Sequence, residues 1–174
     1  MCGFVTLRSD RPDEQEYLAR VAALKGIVGR ISPMRPLPLV TGPTTAVMAR
    51  WGWPSSKGGI LTHARSETAP RLPTWADAWR QARGVIPVAG WEEGSWAVTA
   101  PRAHLAVLWT HHDDDIRLAV LTQPPPASMA QFERFPIPLT QEGALTWLAE
   151  GSLVDQVVDL HLTGTGGQTS LFDH

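Results

Sequence analysis

The feature that most constrains this chain is how often its apolar runs are cut short. Four β-like runs, at 85–91, 96–100, 104–109 and 116–122, follow one another with only Gly/Pro or acidic breaks between them. Asp113-Asp114-Asp115 reads as the tip of a hairpin between the last two, and Pro124-Pro125-Pro126 stops the sheet. Such runs are too short for helices and are bounded by turn residues, which is the signature of short strands. Upstream, Val47, Ala49, Trp51 and Trp53 alternate with Met48, Arg50 and Gly52, which predicts another strand. The first segment reads as a strand as well, with Cys2, Phe4, Val5 and Leu7 near its start.

Helical signals are few. Asp13 with Glu16 makes a capping-box pattern before Tyr17, Leu18, Val21, Ala22 and Leu24, closed by Gly26. Thr74 with Asp77 suits the start of a short helix through Trp75, Ala78, Trp79 and Ala82. Thr140 suits the start of a third, ended by Gly151. Residues 32–43 hold four Pro and one Gly, which predicts an ordered loop or extended segment. Many short strands with a few short helices predict an α+β fold around a strongly curved, barrel-like antiparallel β-sheet. A single domain is expected over residues 1–162, with a flexible C-terminal tail over 163–174.

Apolar residues make up 43% of the 174 and charged residues 18%, a globular balance. The one cysteine excludes an internal disulfide. The start Met1-Cys2-Gly3-Phe4-Val5-Thr6-Leu7-Arg8 has no basic leader and no long apolar run, and no stretch approaches a membrane span. A cytoplasmic monomer with no membrane partner is therefore expected. Net charge is −2, but it is unevenly spread. Residues 1–83 carry twelve basic residues against six acids, and residues 84–174 three against eleven. A one-sided basic surface is the footprint of a nucleic-acid binder, although uneven scatter on a solvated surface produces the same count.

Three stretches can carry chemistry. Removal of Met1 exposes an α-amine beside the Cys2 thiol, and the two have ordinary pKa values near 8 and 8.5. A 1,2-aminothiol condenses with an aldehyde through its amine, and its thiol then closes the ring to a thiazolidine. The plainer role for Cys2 is a small apolar residue opening an edge strand. The second stretch, Thr62-His63-Ala64-Arg65-Ser66-Glu67-Thr68, packs an imidazole, a guanidinium and a carboxylate together. In an extended chain His63, Arg65 and Glu67 share one side, so that Arg65 can clamp a phosphate and Glu67 can hold Arg65. A polar loop with a structural ion pair explains the same residues. The third, Gly90-Trp91-Glu92-Glu93-Gly94, ends an apolar strand with two acids. A carboxylate partly desolvated there suits a general acid, and a solvated hairpin tip is the alternative. His111-His112-Asp113-Asp114-Asp115 is read as a solvated turn and not a metal site, because adjacent strand residues face opposite ways.

In order and rough spacing over residues 1–150, these motifs resemble the SRAP family, the SOS response-associated peptidase domains that process abasic sites. The matching stretches are Met1-Cys2-Gly3, Ile31-Ser32-Pro33, Trp51-Gly52, His63-Ala64-Arg65-Ser66-Glu67-Thr68, Arg83-Gly84-Val85-Ile86-Pro87, Gly90-Trp91-Glu92-Glu93 and Phe132-Glu133-Arg134-Phe135-Pro136. The resemblance implies an N-terminal Cys2 that crosslinks to the aldehyde of an abasic site in single-stranded DNA, with peptidase-like character and no cofactor. It places Glu93 on the catalytic Glu, Arg65 on a phosphate contact, and Pro33 and Trp51 where the DNA path is shaped. The basic excess of residues 1–83 is expected to gather into a DNA-binding groove around Arg50 and Arg65, with Trp51 beside it. Two positions depart from the family pattern. His63 stands for the Asn that positions the α-amine, and Phe132 stands for the catalytic His.

Two other readings stay open. Met1-Cys2-Gly3-Phe4 and Arg11-Pro12-Asp13 also resemble class II glutamine amidotransferases, but the chain has no Asn for that family's oxyanion hole. The remaining reading is a degenerate, non-catalytic DNA-binding module.

Overall fold

The computed structural model describes residues 2–8, 16–153 and 158–164. In chain order the elements are β1 (Phe4–Leu7), α1 (Tyr17–Ala23), β2 (Gly29–Ile31), β3 (Pro36–Gly42), β4 (Thr45–Trp51), β5 (Trp53–Pro54), β6 (Ile60–Leu61) and β7 (His63–Arg65). There follow α2 (Ala76–Gln81), β8 (Arg83–Glu93), β9 (Trp96–His112), β10 (Asp115–Gln123), β11 (Phe135–Pro136), β12 (Pro138–Leu139), α3 (Gln141–Glu150) and β13 (His161–Gly164). A 3₁₀ turn spans Ala127–Met129.

Five strands close a barrel: β8 pairs with β9, β9 with β10, β10 with β4, β4 with β3, and β3 returns to β8. Most pairings are antiparallel, as the alternating runs lead one to expect. The closure is not: β10 runs parallel to β4, with Arg117 opposite Arg50 and Leu118 opposite Trp51. The long excursion from β4 to β10 brings the chain back in the same direction, as a parallel crossover requires.

Alternation within these strands builds two layers. Leu37, Leu39, Ala49, Trp51, Ile86, Val88, Leu105, Val107, Leu118 and Val120 point into the barrel. Val85, Ala106, Leu108, Ala119 and Leu121 point outward, where Leu18 and Ala22 of α1, Ala78 of α2 and Ala144 and Trp147 of α3 cover them.

Several local expectations are met and others corrected. Thr140 Oγ1 accepts from the Gly143 N–H, and Gly151 ends α3 at φ +72°. The helix start expected at Thr74 falls instead at Trp75, without a side-chain cap. The runs at 96–100 and 104–109 are one strand, β9, because Pro101 sits where the ladder with β8 is interrupted by the irregularity between Val88 and Gly90. The Pro-rich stretch is extended, as β3. Pro36 and Pro38 have no N–H to give a second ladder, and β3 meets β8 at a single pair, Val40 with Val85. The triple-Asp hairpin is present, with His112 opposite Asp115 and Asp113 at φ +51°. Asp13 lies outside the described residues, as do residues 165–174 of the expected tail. Thr163 and Gly164 belong to β13, paired with Ala97 and Trp96 of β9. No helix among the described residues is long and apolar enough to cross a membrane.

Candidate active site

The short β1 is held on both sides. It pairs with β2 through Val5–Ile31 and Thr6–Arg30, and with the far half of β8 through Phe4–Glu92, Val5–Trp91 and Thr6–Gly90. Just before it, the Gly3 N–H donates to the Glu92 carbonyl at 2.8 Å. This ladder lays Cys2 against the last residues of β8. The side chain of Cys2 is 2% exposed and joins the cluster that fills the barrel. Its thiol donates to the Phe4 carbonyl at 3.1 Å. Burial pushes the thiol pKa far above its ordinary value, and the negative charge of Glu93 pushes it further. Cys2 is therefore held as a neutral thiol.

Glu93 reaches this position because β8 bulges next to Gly90. A Cβ at Gly90 would lie 2.2 Å from the Val98 carbonyl oxygen, so only glycine permits this close strand approach. Beyond the bulge the register resumes, with Trp91 opposite Val98 and Glu93 opposite Trp96. The two acids at the strand end have different surroundings. Glu92 is exposed enough to form a bidentate pair with Arg30, at 2.9 and 2.7 Å. Glu93 is half-buried and acts electrostatically on Cys2.

His63 arrives from β7, which pairs in parallel with β10: His63 opposite Val120, Ala64 opposite Leu121, Arg65 opposite Thr122. Ala64 is buried in the outer layer, so His63 and Arg65 share the opposite side. The imidazole meets the edge of Trp51 at 5.8 Å and 77°. Its Nδ1 lies 2.8 Å from the Thr62 hydroxyl, while Nε2 is buried with no hydrogen-bond partner among the described residues. Burial lowers its pKa to about 4, helped by the positive charge of the chain's N-terminus. Cys2 and His63 thus both feel the N-terminal charge, and His63 is a neutral imidazole at pH 7.

The expected DNA-contacting residues divide. Arg65 is exposed, and its guanidinium makes no hydrogen bond or ion pair among the described residues. Glu67 does not hold it. The chain turns after Arg65, with the Ser66 N–H on Thr122 and the Thr68 and Ala69 N–H groups folding back on the Arg65 carbonyl. That turn carries Glu67 to Arg134, which grips it with two bonds of 2.6 Å. Trp51 is fully buried and donates its indole N–H to the Thr62 carbonyl, so it offers no face to a nucleobase; it is a wall behind His63. Pro33 lies in the turn that leads into β3, where the Met34 N–H bonds to the Trp51 carbonyl. Arg50 is occupied by Asp115 and by the Met34 carbonyl, and Asp115 is shared with Arg117.

Phe132 is buried in the same cluster as Cys2. It packs on Phe135 at 5.5 Å, and Phe135 meets Trp91 edge-on at 5.2 Å. This segment carries an aromatic stack, with no titratable group at position 132. His111 and His112 lie on successive positions of β9, with His111 edge-on to Trp109, in keeping with the alternation argument.

Arg30 and Arg134 are the site-proximal residues that sequence reasoning assigned no role. Both act through partners more than 60 positions away; no local pattern marks Arg30, and the Phe132–Pro136 motif that contains Arg134 does not point to its partner.

The comparisons with known proteins bear on this arrangement. A family model described as SOS response associated peptidase (SRAP) matches residues 1–167. No curated protein matches the chain. Among solved structures, one similar chain is a protein from Bacteroides thetaiotaomicron, at TM-score 0.64 and 16% identity, with 84% of this chain and 81% of that one covered. Another is a phage-related protein from Bordetella bronchiseptica, at TM-score 0.60 and 20% identity, with the same coverage. At these identities the likeness is one of fold.

Proposed function

Because the chain belongs to the SRAP (SOS response associated peptidase) family, we propose that it processes abasic sites in single-stranded DNA through its N-terminal cysteine. The observation that supports this most directly is that the β1–β8 ladder and the Gly3–Glu92 bond bring Cys2 to the end of β8 that carries Glu93, whose charge acts on the thiol. After loss of Met1, the α-amine of Cys2 adds to the open-chain aldehyde of the abasic sugar and expels water to give an imine. The thiol then adds across the C=N bond. Sulfur bonds to carbon, the thiol proton passes to nitrogen, and a thiazolidine results. A thiol kept protonated suits this order, since the amine attacks first and the thiol supplies its own proton. Glu93 transfers the proton that sugar-ring opening places on the ring oxygen. Neutral His63 accepts a hydrogen bond from the amine through Nε2. Arg65, exposed at the surface, takes the phosphate beside the abasic site.

The second reading is a DNA-binding module that has lost the chemistry. It is favoured by Phe132, which cannot carry a proton and is packed as core.

A denaturing gel of the mature protein with abasic single-stranded DNA separates the two. A covalent band is expected from wild type, none from Cys2→Ser, and none from protein that retains Met1. Phe132→His is expected to raise the rate, up to the roughly 10²–10⁴-fold that general acid–base groups contribute. If wild type forms no band and Phe132→His restores none, the binding-module reading replaces the crosslinking one. Release of ammonia from glutamine would instead point to an amidotransferase.

A further inference from the structure

We infer that Arg30 is a positioning residue for the N-terminal aminothiol: with Glu92 it forms a strap across β1 that holds Cys2 against the end of β8. The inference rests on the reading of Cys2 as the reacting group.

Arg30 and Glu92 stand on β2 and β8, the two neighbours of β1. Thr6 is opposite Arg30 and Phe4 is opposite Glu92, so all four side chains lie on one face of the three strands. Strands β2 and β8 are two strand spacings apart, about 9–10 Å. An ion pair between them has to pass over β1. It does so as a planar bidentate pair, and the guanidinium carbon rests 3.3 Å from the centre of the Phe4 ring.

The two residues that Arg30 grips are the two that hold the terminus. The Phe4 carbonyl accepts the Cys2 thiol, and the Glu92 carbonyl accepts the Gly3 N–H. Chain termini are poorly ordered unless tied down. Here a single cation presses the ring of one backbone acceptor onto the sheet and holds the side chain of the other. Such an exposed pair contributes little to global stability. Its effect falls on the geometry of a few residues, where small displacements cost rate. Lysine lacks the planar fork that makes both contacts at once.

The strap also has an electrostatic side. The negative charges of Glu93 and, to a lesser degree, Glu92 both oppose ionisation of the thiol. Arg30 neutralises one of the two acids.

The test compares mature wild type with Arg30→Ala, Arg30→Lys, Phe4→Leu and the double variant Arg30→Ala/Glu92→Gln. Thiazolidine formation with propionaldehyde is followed by intact mass, crosslinking is followed at saturating abasic single-stranded DNA, and DNA affinity is measured separately. Arg30→Ala and Phe4→Leu are expected to slow both covalent reactions on the order of 10-fold, with DNA affinity and melting temperature little changed. Arg30→Lys should rescue only in part. In the double variant the pH profile of Cys2 alkylation should return toward wild type while the covalent rates stay low.

Wild-type rates in both Arg30→Ala and Phe4→Leu would overturn the inference. So would a loss confined to DNA affinity, which makes Arg30 a DNA contact, or rates that simply track melting temperature. Wild type that traps propionaldehyde but not abasic DNA would defeat the DNA reading alone; slowing of that trap by Arg30→Ala would still support the strap. Wild type that traps neither would remove the aminothiol as reacting group, and the strap's role with it.

Discussion

Glu67 and Arg134 grip each other through two 2.6 Å bonds, and in doing so tie the loop after β7 to the segment that carries Phe132. Arg134 is largely buried and also donates to the carbonyl and hydroxyl of Thr122, so the pair docks both loops on the end of β10.

That pair predicts an acid-sensitive contribution to stability. The hydrogen bonds from Arg134, first among the causes, lower the Glu67 pKa from its ordinary 4.5 to about 2. A carboxylate with a depressed folded pKa stabilises the fold above its unfolded value, and that contribution is lost as pH falls from about 4.5 toward 2. Glu67 is 42% exposed, so solvent screening keeps the contribution to about 1 kcal/mol. Arg134→Ala should cost more than Glu67→Gln, because it also strips the Thr122 contacts. Urea unfolding at pH 7 and pH 3 checks this. For Glu67→Gln, the loss should be seen at pH 7 and shrink at pH 3.

Cys2 and Glu93 predict opposite effects on two reactions. Burial and then Glu93 raise the thiol pKa, so wild-type Cys2 should react slowly with iodoacetamide at neutral pH. Glu93→Gln removes a neighbouring negative charge. The thiol pKa falls, and alkylation at a fixed pH should speed up. The same substitution should slow crosslinking to abasic DNA by about 10²-fold or more, since an amide delivers no proton. A Glu93→Gln variant that slows both reactions together would mean that Glu93 acts through local structure and not through its charge.

His63 predicts a second acid transition and a chemical rescue. A half-buried histidine with its pKa lowered to about 4 binds fewer protons folded than unfolded. Stability therefore falls as pH drops from about 6.5 to about 4. The full shift corresponds to on the order of 3 kcal/mol. His104, buried with its pKa lowered to about 3, adds to the same acid limb. His63→Asn should remove the His63 part of that limb while keeping an acceptor for the amine. Crosslinking should survive in His63→Asn and drop in His63→Ala. Equal crosslinking rates in the two variants would exclude a role for the ring nitrogen.

What the sequence by itself determined was the kind of fold, the ends of its last helix and its family. Period-two alternation within β4 and β8–β10 sets which residues point into the barrel. Thr140 and Gly151 mark the ends of α3 by local hydrogen bonding and backbone conformation. Met1-Cys2-Gly3, with the Ala64-Arg65-Ser66-Glu67-Thr68 run downstream, carries the family. Only the tertiary structure decided the rest, because it depends on pairings between distant residues. The chain turns after Arg65, so Glu67 meets Arg134 and not its neighbour. Barrel closure through β10 and β4 turns Trp51 inward, against His63, and removes it as a stacking surface. The bulge at Gly90 aims Glu93 at Cys2, and β2 brings Arg30 over β1 to Glu92. Alternation and capping act over a few residues and are legible in order along the chain. Ladders and ion pairs across about 60 residues are selected by the packing of the whole sheet.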